Sequence, residues 1–269
     1  MANGEHRMVF DLRGKRKRLV QVVYALLALL MTTSLFFVVG PVNLSGLIGN
    51  GGGGSTNFDD QAQQVEQKLA KDPKNPKLLA NDVRARYTAG SSQVQTDPST
   101  GQSSVTQGAI DDFNRAGDAW LRYLKVSGGK PSPTVAAFAV KAFTSTLTTG
   151  TSLADVTSNL SAAVDAQKVI VGATPSLGSY ATLAQLAYFA GDKQTADQAA
   201  QNALQKAPAA QRSSIKQSIS QYKQIGDQIQ KQIKSAEKAA KANPGAGKQA
   251  LQNPLGGLTG GGSGLNGSP

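Results

Sequence analysis

The sequence predicts an all-α protein: one N-terminal transmembrane helix, then a stack of antiparallel helix hairpins, then a long C-terminal helix. Two observations indicate this fold class. Residues 19–39 contain no charged side chain, and at about 1.5 Å per residue such a helix crosses a hydrocarbon core of ~30 Å. From residue 58 onward, apolar residues recur at helical spacing between proline and glycine breaks, and no segment reads convincingly as a strand.

The apolar segment 19–40 is predicted to be an uncleaved membrane anchor. A signal-peptide core usually runs about 7 to 15 residues and ends at a pair of small residues. Here the run is longer, and the exit "VVGPVNLSG" lacks that pair. A cleaved signal and a buried soluble helix are the alternatives. The tail 1–18 is expected in the cytoplasm, because basic residues directly before a span stay there; these are Lys15, Arg16, Lys17 and Arg18.

The net charge of +11 is confined to two segments. Residues 1–18 carry six basic and two acidic side chains, and residues 206–248 carry nine and two. The chain between them has as many acidic as basic residues. The high isoelectric point therefore comes from the basic segment that sets the membrane topology and from a basic last helix. It does not indicate a protein that binds nucleic acid.

A flexible glycine-rich linker over residues 41–57 is expected to separate the anchor from a helical domain, residues 58–208. The helices of this domain follow from apolar spacing and from breaks such as Pro73, Gly90 and Gly128–Gly129. Consecutive helices with short connections form antiparallel hairpins. The predicted helical segments are 58–72, 76–90, 105–129, 133–147, 152–172, 176–191 and 192–208.

The last hairpin, residues 177–208, resembles a tetratricopeptide repeat. Tyr180 occupies the large aromatic position, Leu183 and Ala184 form the apolar–small pair, and the repeat closes at Pro208. Gly191 and Asp192 form the turn, and the second helix carries small or apolar residues at Ala196, Ala200, Ala203 and Leu204. Residues 58–176 match the family less well. The resemblance implies a stack of helix hairpins that binds a protein partner; an irregular helical bundle is the alternative.

Residues 209–242 are predicted to form one long basic helix with an apolar stripe at Ile215, Ile219, Tyr222, Ile229 and Ile233. We expect its first half to cap the last repeat and its second half to project. Gly226 falls on the stripe and weakens it. A self-associating coiled coil is the alternative. Residues 243–269 are a low-complexity tail that is expected to be disordered.

Catalysis is not expected. The chain has no cysteine, and its one histidine, His6, precedes the anchor, so neither a histidine-dependent triad nor a thiolate or histidine metal site can form in the folded region. The acidic pairs Asp59–Asp60 and Asp111–Asp112 are interpreted as helix N-terminal charges. We expect no enzyme, no cofactor, no metal, no nucleic acid and no small-molecule substrate.

Two surfaces are candidates for binding. In tetratricopeptide repeats the first helix of each pair lines the groove, which by resemblance points to Ala181, Gln185, Tyr188 and Phe189. Alternatively, one or both of the aromatic residues pack on the preceding hairpin. The second candidate is the lysine-rich face of the last helix, either a solvated face or a contact for an acidic partner, anionic lipid or anionic polymer; its members are Lys216, Lys223, Lys231, Lys234, Lys238 and Lys241.

The sequence therefore predicts a single-pass protein of the bacterial cell envelope whose helical domain lies on the extracytoplasmic side. The expected function is a non-catalytic, membrane-tethered scaffold or accessory, chaperone-like subunit that binds a protein partner. One alternative is an envelope-binding protein that acts through its lysine-rich helix. Another is a secreted soluble helical protein, released by signal cleavage. The oligomeric state and the partner's identity stay open.

Overall fold

The computed structural model describes residues 58–96, 103–147 and 152–242. Within them the chain forms eight α-helices, one short 3₁₀ turn at Ala209–Gln211, and one minimal strand pair. The all-α fold class is thus confirmed for the described residues. The helices are α1 Phe58–Lys71, α2 Pro76–Ser92, α3 Gln107–Val126, α4 Pro133–Ser145, α5 Leu153–Ala173, α6 Leu177–Ala190, α7 Lys193–Lys206 and α8 Arg212–Ala242.

Helix ends coincide with local capping chemistry. The Asn75 side chain accepts hydrogen bonds from the main-chain N–H groups of Lys77 and Leu78 at 3.0 and 3.2 Å, and Pro76 opens α2. Ser176 and Ser179 form a reciprocal capping box at the start of α6. Such caps satisfy main-chain donors that the first helical turn leaves unpaired. This explains why the predicted helix limits agree with the observed ones to within a few residues.

One feature departs from the prediction that the domain has no strand. Gln95–Thr96 pairs antiparallel with Ser103–Ser104, between the helical segments predicted at 76–90 and 105–129. Each strand has two residues, too few to show any alternation of apolar and polar side chains. The pair closes the connection between α2 and α3.

The helices pack in series along the chain. Helix α1 packs on α2, α2 on α3 and α4, and α4 on α5; α5 then contacts α6, which contacts both α7 and α8. Every extensive contact joins helices that are neighbours along the chain or are separated by one other helix. Such serial packing is the arrangement in which each hairpin covers the apolar face of its neighbour.

The core is built from aromatic residues in the first half and from small residues in the second. Phe113 and Trp120 of α3 are fully buried. Between α6 and α7, alanine replaces the large side chains: Ala184, Ala187 and Ala196 have no exposed surface. Small side chains let two helices approach closely.

Helix α8 differs from the prediction in its second half. Ile229, Ile233 and Ala236 are buried and share an apolar cluster with Leu153 of α5 and the half-buried Phe189 of α6. The expectation that this half projects is therefore wrong as far as Ala236. Gly226 was interpreted as weakening the stripe, whereas small residues here allow close packing.

Four predicted segments lie outside the described residues: the tail 1–18, the anchor 19–40, the linker 41–57 and the C-terminal tail 243–269. None of the helices in the described part is both long and apolar enough to cross a bilayer. The predictions of an anchor and of its orientation stay predictions.

Candidate protein-binding surface

Helix α8 crosses α6 in main-chain contact at Gly226. A Cβ built on Gly226 would lie 2.5 Å from the carbonyl oxygen of Tyr188 and 2.8 Å from its carbonyl carbon. Real Cβ atoms do not approach main-chain atoms so closely, so only glycine fits at this crossing without a shift. The glycine that seemed to weaken the apolar stripe is the position of closest approach between the two helices.

Two polar contacts fix the crossing just beyond Gly226 along α8. The Gln230 side chain donates a hydrogen bond from Nε2 to the carbonyl oxygen of Phe189 at 2.9 Å. Lys193, at the start of α7, lies 3.2 Å from the Asp227 carboxylate. The first bond satisfies a carbonyl at the C-terminal end of α6 that the helix itself leaves unpaired. Together these contacts set the register of α8 on the last hairpin.

The four residues predicted to bind a partner lie on α6, partly beneath α8. Gln185 and Tyr188 are buried, with 4% and 5% of their surface exposed. Ala181 and Phe189 are half-buried, and Phe189 packs with the α8 cluster. In this arrangement Gln185 and Tyr188 face the protein interior and offer little surface to a partner. The role of Ala181 and Phe189 stays a prediction.

Tyr188 has a specific internal partner. Its hydroxyl donates a hydrogen bond to Oδ1 of Asp197 on α7 at 2.6 Å. Burial raises the pKa of Tyr188 well above its usual range, and the hydrogen bond to Asp197 and the charges of Asp197 and Asp227 raise it further. Tyr188 thus joins α6 to α7, and α8 covers its main chain.

A second aromatic group lies between α2 and α4, the first helices of the two preceding hairpins. The Tyr87 ring is 5.5 Å from the Phe138 ring and 5.8 Å from the Phe113 ring, centroid to centroid. The Lys141 Nζ lies 5.9 Å from the Tyr87 ring centre, within the range of a cation–π contact. Tyr87, Phe138 and Lys141 are half-buried, so part of this cluster reaches the surface.

This aromatic cluster was missed from the sequence. Tyr87 and Phe138 lie on two separate predicted helices, 51 positions apart, and neither was singled out. One sequence feature could have identified the two aromatic residues: each lies on the first helix of a helix hairpin. Helix α2 packs on α4, which is the contact that brings the two rings together.

The acidic pair at Asp111–Asp112 is not a capping pair. Thr106 caps α3 five positions before Asp111, accepting from the Ala109 N–H at 3.1 Å. Asp112 is buried and accepts hydrogen bonds from Arg86 Nη1 and from Gln93 Nε2, both at 2.8 Å. Arg86 also pairs with Glu66 of α1. The interpretation of Asp112 as a helix-terminal charge is therefore wrong; it belongs to a buried ion pair that joins α1, α2 and α3.

The lysines of α8 occupy its exposed side. All the predicted members whose side chains the structure describes are exposed: Lys216, Lys223, Lys231, Lys234 and Lys238. The Lys241 side chain lies outside the described residues. Within the described part of the chain, acidic and histidine side chains nowhere group in threes as metal ligands would.

No family model, no curated protein and no solved structure matches the chain.

Proposed function

We propose that this chain is a non-catalytic, membrane-tethered scaffold that binds a protein partner on the extracytoplasmic side of a bacterial membrane. The anchor and its orientation rest on the uncharged segment 19–39 and on the basic residues that precede it. A tether raises the concentration of the domain near other membrane-bound proteins without any new contact.

The observation that carries this proposal is the serial packing of the helices. Chains that stack hairpins in this way build an extended surface from the first helix of each pair. The hairpin of α6 and α7, with 14 residues in each helix and a turn at Gly191, fits the tetratricopeptide-like pattern. That resemblance remains part of the proposal.

The partner surface that we propose is centred on α2 and α4 and not on the C-terminal end of α6. Helix α8 already covers Tyr188 and packs on Phe189. The half-buried cluster of Tyr87, Phe138 and Lys141 offers aromatic surface next to a cation. Aromatic residues bring large contact areas at a small entropic cost, which is why they are enriched where proteins bind one another.

Site-specific photocrosslinking in membranes tests the proposal. A benzophenone amino acid replaces Phe138 in the full-length chain, and in a matched control it replaces Gln201, an exposed residue of α7. We expect a discrete protein adduct from position 138 and a much weaker one from position 201. The same adduct yield at both positions, or none at 138 and at Ala181, would count against the scaffold.

A further inference from the structure

The exposed lysines of α8 form one straight stripe. At 100° per residue, positions 216, 223, 231, 234 and 238 fall within an arc of about 80° on the helix surface. At about 1.5 Å per residue, the stripe is about 33 Å long. Gly226, Ile229 and Ile233, which face α5 and α6, fall outside this arc. Every ammonium group on the stripe can therefore approach the same plane.

The stripe lacks compensating charge. Asp227 is the one acidic residue that falls within its arc, and Lys193 lies 3.2 Å from that carboxylate. Glu237 lies on the flank of the helix. Among the described residues, none of the five stripe lysines is within salt-bridge distance of a carboxylate. Several like charges are held along one line, and their repulsion is relieved by whatever anion approaches them.

The chemistry of the stripe favours a lipid surface over a structured macromolecule. Lysine presents a point charge on a flexible stem, which suits phosphate groups of no fixed orientation, whereas bidentate recognition requires arginine. A straight row of charges matches a plane of head groups. The aromatic residue of this helix, Tyr222, packs against the core and lies outside the stripe, so no base-stacking platform accompanies the lysines.

We propose that this lysine stripe docks the helical domain on the anionic lipid head groups of the membrane that holds the chain, an inference that rests on the proposed tether. A flexible linker of the length of 41–57 has a root-mean-square span of about 23 Å. A tether of that length leaves the domain free to turn so that α8 faces the bilayer surface. Docking places the lysine stripe of α8 against the head groups, while the residues of α8 that contact α5 and α6 stay outside the stripe.

The test uses the full-length chain in vesicles of phosphatidylcholine, with or without one third phosphatidylglycerol. Because the chain has no cysteine, Ser220→Cys gives a unique fluorophore site on α8 next to the stripe, and Gln201→Cys gives a control on α7. Energy transfer to a head-group dye measures proximity. We expect transfer from position 220 to rise severalfold in anionic vesicles and to fall back at high salt, with little change from position 201.

Matched variants separate the effect of the stripe from the effect of net charge. In the stripe variant, Lys216, Lys223, Lys231, Lys234 and Lys238 become Gln; in the control, the exposed Lys68, Lys71, Lys74, Lys77 and Lys125 become Gln. Both lose the same charge. Loss of the anionic-lipid response in the stripe variant alone supports the proposal. Equal responses in both variants, or in neutral and anionic vesicles, would overturn it.

Two further outcomes are informative. If soluble polyglutamate at equal charge concentration removes the position 220 signal, the stripe prefers an anionic polymer and the lipid assignment is wrong. If the chain floats only with anionic vesicles and salt releases it, the stripe binds lipid and the anchor is absent. Partner capture through Phe138 is scored separately, so failure of the stripe and failure of the scaffold are distinguishable.

Discussion

Gly226 of α8 lies directly against the main chain of Tyr188 in α6. A Cβ at position 226 would lie 2.5 Å from the Tyr188 carbonyl oxygen, which is backbone and cannot rotate away. The contact places α8 on the first helix of the last hairpin. It also makes the position of the C-terminal helix depend on a single residue type.

Replacing Gly226 with Ala is expected to destabilise the domain. Alanine favours a helix by about 1 kcal/mol over glycine, but the added methyl group must move α8 away from α6. Overpacking of this kind costs about 1 to 3 kcal/mol. Urea unfolding of the full chain measures the difference. Gly172→Ala in α5 is the control, because a Cβ there meets nothing within 4 Å; it should leave stability unchanged or slightly raised. A Gly226→Ala chain as stable as the control contradicts the crossing.

Breaking the buried Arg86–Asp112 pair between α2 and α3 is expected to lower the free energy of unfolding by more than breaking the partly exposed Arg86–Glu66 pair. Arg86→Met leaves the Asp112 carboxylate buried, with a side-chain exposure of 10%, and should cost about 3 to 5 kcal/mol. Glu66→Gln removes a carboxylate that is 42% exposed and should cost about 1 kcal/mol or less. Replacing Arg86 and Asp112 together by Met and Leu should restore much of the loss. Equal costs for Arg86→Met and Glu66→Gln in denaturant unfolding would refute this ranking.

Asp82 is expected to make the domain more stable in mild acid. Burial raises the pKa of Asp82 from 3.8 to about 6, and the nearby Glu66 charge adds to the shift. Between these two values the folded state binds more protons than the unfolded state, so Asp82 lowers stability as the pH rises toward 6 and leaves it low above that value. Asp82→Asn should therefore raise the melting temperature at neutral pH by a few degrees and by less near the acid end of this range.

The exposed Asp111→Asn of α3 is the control for the pH prediction. Melting curves recorded across the acid range by circular dichroism give the comparison. A pH dependence that is identical in wild type and Asp82→Asn would show that Asp82 titrates normally.

Removing the Tyr188 hydroxyl is expected to loosen the last hairpin. Tyr188→Phe deletes the 2.6 Å hydrogen bond to Asp197 and should cost about 1 to 2 kcal/mol, since one partner is a carboxylate. Tyr180→Phe on the same helix is the control, because no hydrogen bond of its hydroxyl is found among the described residues. Hydrogen exchange of the α7 amides should increase in the first variant alone. Similar exchange in both would indicate that the hydroxyl contributes nothing.

The sequence was sufficient for features that depend on neighbouring residues. Helix limits follow from local caps and from glycine, as at Gly191, whose φ of 81° favours a residue without a Cβ. Ala196 and Ala203, which the resemblance placed at small or apolar positions of the second helix, are buried. These signals lie within one or two helical turns, so a single sequence shows them.

Features that depend on distant residues were not predictable in this way. The Arg86–Asp112 pair spans 26 positions, and local reading gave Asp112 a capping role instead. Gly226 was read as a defect because its partner, the Tyr188 carbonyl, belongs to another helix. The contact of Tyr87 with Phe138 likewise requires that α2 and α4 be adjacent.

The proposed function depends above all on one arrangement: the segment before the helical domain holds that domain on the extracytoplasmic side of the membrane. Gln201→Cys, the only thiol in the chain, can be treated in intact bacterial cells with a small maleimide that does not cross the inner membrane. We expect labelling without lysis, on full-length protein that stays in the membrane after an alkaline wash. Labelling only after lysis, or labelled protein in the soluble fraction that begins beyond residue 40, would contradict it.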